Sequence, residues 1–436
     1  MTSSITIEGI SNNLTGYGFL EGKKYQFSYA SIGDVLQFET LGRGKRKYNK
    51  VLTRDSSHDY EPNCEYFTKC GGCKARHIPY PDQFKYKTDE LYRFYLENFN
   101  IELQLAPSEQ TEHYRNRMDF AVFPGVIGLR QEGNFRKIVE VKECKIQSHT
   151  TNVELNTIRD FLLPLAYNRK TGEGFLKYIT LRKSSMGDLT VILTFTSLFK
   201  GTELEQEVML EFPKYSTSEN IIFCYNRPQA EVSAVGEYQV VKGREYFQEI
   251  VSGKKFNVPF DSFFQPNVPG FMPIVEFIHS SLKNSKTKRM IDLFCGSGFF
   301  SILFGEFFEE IYGFDIVKSS IEKAYERCKQ EFPEKEIRFQ ILDLLSLKED
   351  KVSHLFTLED TTLFLDPPRS GLGDALSRKI SVGMFSKILY ISCNPESQKN
   401  DLEVLKENFK ISRGLITDPY PHTPHLESVL LLEKKK

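Results

Sequence analysis

The second half of the chain alternates short apolar runs with longer stretches of helical period. The apolar runs lie at 290–294, 311–314, 337–342, 362–365 and 388–391. Between the second and third runs, residues 317–332 repeat apolar side chains with the period of an amphipathic helix. Strands that alternate with helices predict a parallel, doubly wound α/β sheet. In such sheets, ligands bind at the carboxyl ends of the strands.

Residues 5–56 show a different pattern, in which short apolar runs are separated by turns that contain glycine. Short strands at this spacing predict a small β-barrel. A helix is predicted at 82–100, where prolines bracket a stretch with apolar residues on one face. Residues 113–260 predict a mixed, β-rich region that contains one helix near 151–163.

Length and charge limit the class of protein. The 436 residues predict two to three domains, and the net charge of −1 excludes a chain-wide basic field. No apolar run is long enough to span a membrane, and residues 1–9 lack the apolar core of a signal peptide. We therefore expect a soluble, cytoplasmic protein that has no membrane partner.

A local basic stretch lies at the end of the predicted barrel. It contains no acidic residue, and Tyr48 lies among its cations, which are Arg43, Lys45, Arg46, Lys47, Lys50 and Arg54. Cations beside an aromatic ring suit a phosphate backbone and a stacked base. A solvated hairpin is the alternative interpretation, and the barrel context favours nucleic acid.

Four of the eight cysteines form a spaced pattern. Cys64, Cys70 and Cys73 lie close together in the sequence, Gly71 and Gly72 separate the last two, and Cys144 follows much later. In a large cytosolic chain, such a group indicates a metal site or catalysis rather than disulfides. Zinc and a 4Fe–4S cluster both accept four thiolates. The second Cys-x2-Cys pair of a zinc ribbon is absent, which favours the cluster over zinc and over free thiols.

A cofactor loop is predicted after the first strand of the α/β region. Gly296 and Gly298 follow this strand and open a helix, but Ser301 stands where a dinucleotide fingerprint has its third glycine. Asp315 and Asp343 end the next two strands, where carboxylates can accept ribose hydroxyls and an adenine amino group. NAD and S-adenosylmethionine both fit this layout. The imperfect glycine pattern and the Asp-Pro-Pro sequence at 366–368 favour S-adenosylmethionine over NAD. Helix capping is the alternative for each aspartate taken singly, and the position of all three at strand ends disfavours it.

Cys393 lies where the last of these apolar runs ends. The run at 388–391 predicts a buried strand, and the sequence Ser-Cys-Asn-Pro at 392–395 breaks it because proline cannot donate to a sheet. A thiol at this edge can be a nucleophile, a metal ligand or a buried core residue. Its position alone does not choose among the three.

Several motifs together identify a family. They are Asp292-Leu-Phe-Cys-Gly-Ser-Gly298, Asp366-Pro-Pro-Arg-Ser-Gly371, Ser392-Cys-Asn-Pro395 and Thr423-Pro-His-Leu-Glu-Ser428. The chain resembles the RNA uracil-5-methyltransferases over essentially its whole length. The four spaced cysteines resemble the iron–sulfur branch of that family, and the first sixty residues are similar to its TRAM domain, an OB-like barrel that binds RNA.

The resemblance implies a fold and a set of domains. The fold is α/β, with a Rossmann-like S-adenosylmethionine-dependent methyltransferase domain, an N-terminal OB-like β-barrel and a β-rich central iron–sulfur domain. The implied domains are the barrel (1–57), the central domain with the 4Fe–4S site (58–78 and 108–252) and the catalytic domain (79–107 and 253–436).

The resemblance also implies a role for single residues. Cys393 matches the nucleophile, Glu427 the general base, and Asp366 the aspartate between cofactor and uracil. The implied cofactor contacts are Gln265, Phe294, Gly296, Gly298, Phe299, Asp315, Asp343 and Asp366. Cys64, Cys70, Cys73 and Cys144 match the ligands of a structural 4Fe–4S cluster. The chain departs from the family at Phe299, where asparagine or threonine is usual, and at Asp315, where glutamate is common.

The implied reaction methylates carbon 5 of a uridine in RNA. A thiolate adds to carbon 6, carbon 5 takes the methyl group, and a base then removes the proton from carbon 5. His422 and His425 are rival bases, and the family match falls on Glu427. The target base must leave its stack, which implies base flipping or single-stranded RNA.

Four alternatives concern the target and the activity. We expect 23S ribosomal RNA as the substrate, with the same chemistry on tRNA as the alternative, and a monomeric enzyme. Amino-methylating enzymes usually have an aromatic residue where Arg369 stands, and RNA cytosine-5 methyltransferases have their cysteine at the strand that here carries Asp366. A non-catalytic RNA-binding or folding factor on this scaffold is disfavoured, because both Cys393 and Glu427 are present.

Overall fold

The computed structural model describes residues 2–42, 48–56, 62–283, 285–346 and 353–436. Its α-helices are α1 (Tyr80–Phe99), α2 (His149–Leu162), α3 (Glu203–Glu211), α4 (Val268–Leu282), α5 (Phe299–Phe304), α6 (Lys318–Glu331), α7 (Gly373–Val382) and α8 (Pro395–Leu405). None of the helices within these ranges combines the length and the hydropathy needed to cross a lipid bilayer. The predicted helices at 82–100, 151–163 and 317–332 are confirmed as α1, α2 and α6.

The N-terminal region consists of six short strands. They are β1 (Thr2–Thr6), β2 (Gly9–Ile10), β3 (Gly16–Leu20), β4 (Lys23–Phe27), β5 (Val35–Leu41) and β6 (Tyr48–Asp55). They form two antiparallel sheets, β1-β5-β6 and β2-β3-β4, which share a small core that includes Phe27, Leu36 and Phe38. The short-strand prediction is confirmed, and the OB-like barrel stays a prediction.

The basic stretch at the end of this region is described only in part. Arg43, Lys45, Arg46 and Lys47 lie outside the described residues. Of the others, Lys50 pairs with Glu39 at 3.8 Å and Arg54 pairs with Asp34 at 3.7 Å. The Tyr48 side chain is 58 % exposed. The two described cations therefore have carboxylate partners, while the aromatic ring is open to solvent.

The central region is built on one sheet. The next strands are β7 (Gln104–Ala106), β8 (Arg117–Phe123), β9 (Val126–Gln131), β10 (Asn134–Glu140), β11 (Leu176–Lys183), β12 (Leu189–Thr196), β13 (Asn220–Asn226) and β14 (Glu237–Lys242). All but β7 form a seven-stranded sheet in the order β10-β9-β8-β11-β12-β13-β14. The apolar face of this sheet packs with residues of α2 and α3. The prediction of a mixed, β-rich region is confirmed, and α3 is a second helix that the sequence pattern did not predict.

The C-terminal region is the predicted parallel sheet. A hairpin of β15 (Tyr246–Val251) and β16 (Lys254–Pro259) precedes β17 (Arg289–Leu293), β18 (Glu310–Asp315), β19 (Glu336–Ile341), β20 (Thr361–Leu365), β21 (Lys387–Ser392), β22 (Phe409–Thr417) and β23 (Glu427–Lys434). The sheet order is β19-β18-β17-β20-β21-β23-β22-β7. Strands β17 to β21 are parallel, and β23 runs antiparallel to β21 and β22.

The alternation of buried side chains explains why these strands read as continuous apolar runs. Along β21, Leu389 and Ile391 enter the core on one face of the sheet, whereas Ile388 and Tyr390 enter the core on the other face. Both faces are covered, so every position from Ile388 to Ile391 is apolar or aromatic. The chain leaves β17 for β18 on one side and returns to β20 on the other side. The carboxyl ends of β17 and β20 therefore flank the switch point where ligands bind in such sheets.

Two elements that precede the central region in the chain, β7 and α1, also pack with this sheet. Strand β7 pairs parallel with β22, and Leu91 and Tyr95 of α1 are buried in the core beneath it. This packing joins residues 80–106 to the C-terminal region. The exact domain boundaries stay predictions.

Candidate active site

Cys393 lies in the two-residue link between the end of β21 and the start of α8. Pro395 begins α8, where its missing N–H costs nothing. The link is held by local hydrogen bonds: the Asn394 amide donates to Ser392 Oγ at 3.1 Å, and Asn394 Nδ2 donates to the Arg369 carbonyl at 2.8 Å. The thiol is partly exposed and lines a cavity of about 550 Å³.

Strand register brings Glu427 towards this thiol. β21 pairs antiparallel with β23, with Ser392 opposite Ser428. Cys393 and Glu427 each lie one residue beyond this pair, and the charge of Glu427 contributes to the raised pKa of the Cys393 thiol. Glu427 is buried and lines the same cavity as Cys393. The two sequence-predicted residues, 34 positions apart in the chain, are therefore adjacent in the fold.

Asp366 is the third ionisable group of the site. It follows the last residue of β20 and lines the cavity with Pro367 and Pro368. Burial raises the pKa of its carboxyl to about 7. A carboxyl in this range can hold or release a proton near neutral pH.

The thiol and the glutamate both prefer their neutral forms in the free site. Burial raises the pKa of Cys393 to about 11, with further contributions from Glu427 and Asp366, whereas Arg369 lowers it. Burial, followed by the charge of Asp366, also raises the pKa of Glu427 well above its ordinary value, against the opposing effects of Tyr420 and Arg369. The thiol is therefore protonated at neutral pH before any substrate is bound.

The loop after β17 forms the other wall of the cavity. Phe294 has a φ of +64° and Gly296 a φ of +52°, so the backbone leaves the strand in left-handed turns. Gly298 precedes α5 with a φ of +82°, and a Cβ there would lie 3.0 Å from Ala324 Cβ. Beneath the loop, Ser301 Oγ donates to the buried Asp292 at 2.6 Å. Ser301 thus has a structural role where a dinucleotide fingerprint has glycine.

Phe299 belongs to an aromatic group rather than to a polar contact. Its ring lies 5.5 Å from the rings of both Phe256 and Phe264 and 5.9 Å from that of Phe271. Phe299 also lines the cavity. The usual polar residue is therefore replaced by an apolar surface that distant segments of the chain complete.

Gln265 lines the cavity from the segment before α4. The Gln265 carbonyl accepts from Asn116 Nδ2 at 2.9 Å, and the Pro266 carbonyl accepts from the Asn116 amide at 2.8 Å. This pair of hydrogen bonds ties the segment to the central region. Arg115, which directly precedes Asn116 in the chain, also lines the cavity.

Three predicted cofactor residues do not line this cavity. Gly298 lies one step behind the loop, and Asp315 Oδ2 accepts from the Gly296 amide at 3.0 Å, so it supports the loop. Asp343 is exposed, and its Oδ1 accepts from the amides of Leu345 and Ser346, both at 3.2 Å. The structure therefore brings together Gln265, Phe294, Gly296, Phe299, Asp366, Cys393 and Glu427, and leaves Gly298, Asp315 and Asp343 outside the lining.

Residues 418–426, which we call the base loop, lead into Glu427. Asp418 forms a fully buried pair with Lys87 of α1, with Oδ1 and Nζ 2.7 Å apart. Asn267 Nδ2 donates to the Pro419 carbonyl at 2.7 Å, and the Tyr114 hydroxyl donates to the Pro421 carbonyl at 2.9 Å. The base loop is thus fixed from three separate segments.

Residues 69–75, which contain Cys70 and Cys73 and which we call the cysteine segment, also hold the base loop. The amides of Lys74 and Ala75, directly after Cys73, donate to the His422 carbonyl at 2.7 and 3.2 Å. Gln83 Oε1 accepts from the His422 amide at 3.0 Å, and its Nε2 lies 3.1 Å from His422 Nδ1. The cysteine segment and the active site therefore share a hydrogen-bonded contact.

The four-cysteine group consists of Cys64, Cys70 and Cys73, between β6 and α1, and Cys144, between β10 and α2. Burial raises the pKa of Cys70 to about 12 and that of Cys73 to about 11. Charge interactions contribute within all six pairs of these thiols, so the four lie near one another. Within the described ranges, no three His, Cys, Asp or Glu side chains are arranged around a single metal ion.

Comparisons with known proteins agree with this geometry. The tRNA (Uracil-5-)-methyltransferase family profile matches residues 232–435. An uncharacterised RNA methyltransferase of Leptospira interrogans is 44 % identical over 444 residues, which cover 100 % of this chain and 98 % of that protein. The chain belongs to the RNA uracil-5-methyltransferase family. A tRNA (uracil(54)-C(5))-methyltransferase of Pyrococcus horikoshii is 29 % identical, covering 96 % of this chain and 98 % of that protein.

A solved structure extends the likeness to the fold. The crystal structure of Pyrococcus abyssi tRNA (uracil-54, C5)-methyltransferase in complex with S-adenosyl-L-homocysteine superposes with a TM-score of 0.77 at 24 % identity, covering 99 % of this chain and all of that one. The predicted α/β methyltransferase fold is confirmed at that level.

Some residues of the uracil-5-methyltransferase site had no local pattern in the sequence. Arg115, Tyr420 and His425 line the cavity beside the predicted residues. Arg115 stands among scattered arginines, and nothing in its spacing separates it from them. Tyr420 could have been found only through its neighbour Glu427 in the base loop, whereas His425 lies within the motif at 423–428 and was predicted as a rival base.

Proposed function

We propose that this RNA uracil-5-methyltransferase transfers a methyl group from S-adenosylmethionine to carbon 5 of a uridine, through a covalent bond between Cys393 Sγ and carbon 6. The observation that carries the proposal is the convergence of Cys393, Glu427 and Asp366 in one cavity with the loop after β17. The cavity thus joins a nucleophile and a proton acceptor to a site at the switch point of the sheet.

The residues around the loop after β17 fit S-adenosylmethionine. Phe294, Phe299 and Gln265 offer apolar rings and an amide, and Asp315 supports the loop from behind. Among the described residues, Asp292 Oδ1 is a buried oxygen that has no hydrogen-bond partner. When bound, S-adenosylmethionine supplies an electrophilic methyl group on its sulfonium. In this proposal Asp366, which lines the same cavity as this loop and Cys393, holds the uracil ring by hydrogen bonds.

Cys393 acts by making carbon 5 nucleophilic. Addition of its thiolate to carbon 6 pushes the electron pair of the double bond towards carbon 5 and the carbonyl oxygen at carbon 4. Because the free thiol has a pKa of about 11, attack must be coupled to loss of the thiol proton when the uracil binds. Arg369 is the cation that stabilises the developing thiolate.

Glu427 completes the reaction. Glu427 must first release its own proton to solvent. After carbon 5 has gained the methyl group, the Glu427 carboxylate removes the proton from carbon 5, the double bond re-forms, and Cys393 leaves carbon 6 as a thiolate. The raised pKa of Glu427 makes it a stronger base than an exposed glutamate. His425 also lines the cavity, but burial lowers its pKa to about 4, which makes it a weak base. His422 is tied to Gln83.

The four-cysteine group suits a structural 4Fe–4S cluster, in which each thiolate binds a different iron. Arg76 supports this proposal, because it is buried at 2 % exposure and its Nε and Nη2 have no partner among the described residues. The Gly72 amide donates to Cys70 Sγ at 3.4 Å, as amides do to the sulfurs of such clusters. Zinc is disfavoured, since a single ion needs its ligands gathered about one point.

The target is 23S ribosomal RNA by resemblance, with the N-terminal strands acting as a TRAM domain that binds RNA. tRNA is the second candidate, which the names of the Pyrococcus relatives favour. The absence of disulfides among the eight free cysteines supports a cytoplasmic enzyme. We propose that it acts as a monomer.

The experiment incubates purified protein with labelled S-adenosylmethionine and RNA from cells that lack the gene. Label in 5-methyluridine of one RNA class supports the activity and identifies the target by mapping. RNA binding without any methyl transfer to either class would instead indicate a non-catalytic RNA-binding factor.

A further inference from the structure

A second cavity opens on the central sheet. It measures about 750 Å³ and lies beside β8, β9 and β10 and the turn at 167–170. Among the described residues, it shares no lining side chain with the cavity at Cys393. Its volume is within the ~300–1,000 Å³ of pockets that enclose a small molecule or one unit of a larger ligand.

Two aromatic rings give this cavity flat apolar surfaces. Phe135 stands on the edge strand β10 and is 81 % exposed, far more than most phenylalanines of the chain. Phe123 lies under two guanidinium groups, with Arg130 and Arg169 at 5.5 and 5.3 Å from its ring centroid. Rings and guanidinium planes of this kind are the surfaces on which unpaired bases stack.

The charge of the cavity matches an anion. Four cations, Arg130, Arg136, Arg169 and Lys170, line it against the single carboxylate of Glu231. Glu231 pairs with Arg130 and with Arg169. Arg136 and Lys170 have no carboxylate within salt-bridge distance among the described residues, so they are available to a phosphate group.

The cavity is connected to the cysteine segment through β9. The Gly71 amide donates to the Arg130 carbonyl at 3.1 Å, and the Glu132 amide donates to the Lys69 carbonyl at 2.8 Å. The same segment continues to Lys74 and Ala75, which bind the base loop. These hydrogen bonds therefore connect the position of a ligand in this cavity to the active site.

We propose that this cavity binds one unpaired nucleotide of the substrate RNA, with its base stacked on Phe135 and its phosphate held by Arg136 and Lys170. The proposal rests on RNA being the substrate of the proposed function. RNA is favoured over an acidic protein because a solvent-exposed ring between cations serves a base and a phosphate together. A peptide carboxylate would use only the cations.

The test measures binding of a fluorescein-labelled single-stranded RNA of about 20 nucleotides to the full protein, without S-adenosylmethionine. Phe135→Ala should weaken binding about 5- to 100-fold, the usual effect of losing one stacked base. Arg136→Gln and Lys170→Gln should each reduce the slope of log affinity against log salt by about 0.7 to 1. Ultraviolet cross-linking followed by peptide mass spectrometry should place RNA on the peptide that contains Phe135.

Matched controls use exposed residues of the catalytic domain. Tyr325→Ala on α6, where the ring is 42 % exposed, and Arg378→Gln on α7 should leave affinity and salt slope unchanged. Because Phe135 is exposed, its alanine variant should keep the melting temperature of the parent protein.

Several results would overturn the proposal. The first is an unchanged RNA affinity in Phe135→Ala. The second is competition by free uridine monophosphate that is as strong as competition by the unlabelled RNA. The third is displacement of the RNA by polyglutamate that depends on Phe135. The proposed function fails separately: RNA bound through Phe135 but never methylated would retain this site and remove the activity.

Discussion

The single thiol of Cys393 and the thiol of Cys73 in the four-cysteine group have similarly raised pKa values but different neighbours. Burial raises the pKa of both Cys393 and Cys73 to about 11. Cys393 has the carboxyl groups of Glu427 and Asp366 and the guanidinium of Arg369 beside it. Cys73 has three other thiols and Arg76 around it. The first arrangement places carboxyl groups next to one thiol, and the second gathers four thiols near a buried guanidinium.

The comparison shows that a thiol's neighbours, more than its burial, indicate its chemistry. A lone thiol with a nearby base can form and break a carbon–sulfur bond, because the proton on the carbon has somewhere to go. Several thiolates close together repel one another, and a metal centre that binds all of them offsets this repulsion. The two groups meet at the base loop, through the hydrogen bonds of Lys74, Ala75 and Gln83 to His422.

The largest effect is expected from removing the lone thiol. Cys393→Ala should lower methyl transfer by at least about 10⁴-fold, as loss of a covalent nucleophile does. Binding of S-adenosylmethionine, measured by calorimetry, should be unchanged. Cys224→Ala, at a cysteine buried in a separate core, is the control and should retain activity. Substantial turnover in Cys393→Ala would remove the distinction between the two groups.

The next effect separates the groups by metal content. Cys73→Ser should lose most of the about four irons and four sulfides per chain of the anaerobically purified protein, and should melt about 5 °C or more below it. Cys393→Ala should keep full iron. Stoichiometric zinc in the parent protein, or iron that persists in Cys73→Ser, would contradict the assignment of the four-cysteine group.

A third prediction concerns the pH dependence of Cys393. Only the thiolate is alkylated, so a pKa of about 11 means that alkylation by iodoacetamide should increase nearly tenfold per pH unit. It should show no plateau below about pH 10 when followed by peptide mass spectrometry. Arg369→Gln should slow it further, since this guanidinium lowers the pKa. A plateau near pH 8 would indicate a thiolate formed before substrate binds.

The smallest effect tests the contact between the groups. Gln83→Leu removes the hydrogen bonds of Gln83 to His422, Ala75 and Ile78. Methyl transfer should fall about 10-fold, because the base loop loses one of its supports. Iron content and affinity for S-adenosylmethionine should stay as in the parent. Gln206→Leu, at an exposed position of α3, is the matched control, and an equal loss there would make the effect non-specific.

The sequence predicted the catalytic sheet well, because a strand buried on both faces leaves a continuous apolar run. Strand β21 is the clearest case, since every residue from Ile388 to Ile391 is buried. Helix α3 was missed because only Glu205 and Val208 of its nine residues are buried, which leaves little apolar period to detect.

The site could be predicted only where motifs mark it. The opposition of Cys393 and Glu427 depends on the pairing of Ser392 with Ser428, which no local pattern encodes. Likewise, the rings around Phe299 come from Phe256, Phe264 and Phe271. Spacing alone could not show that this residue completes an aromatic surface.

The central claim is that Cys393 bonds to carbon 6 while Glu427 releases the product. It is tested most directly by incubating Glu427→Gln with RNA and S-adenosylmethionine. The protein and the RNA are then digested, and the mass of the peptide that contains Cys393 is measured by mass spectrometry. We expect this peptide to carry a methylated uridine nucleotide, which the parent protein releases. An unmodified Cys393 peptide, with RNA running free on a denaturing gel, would contradict it.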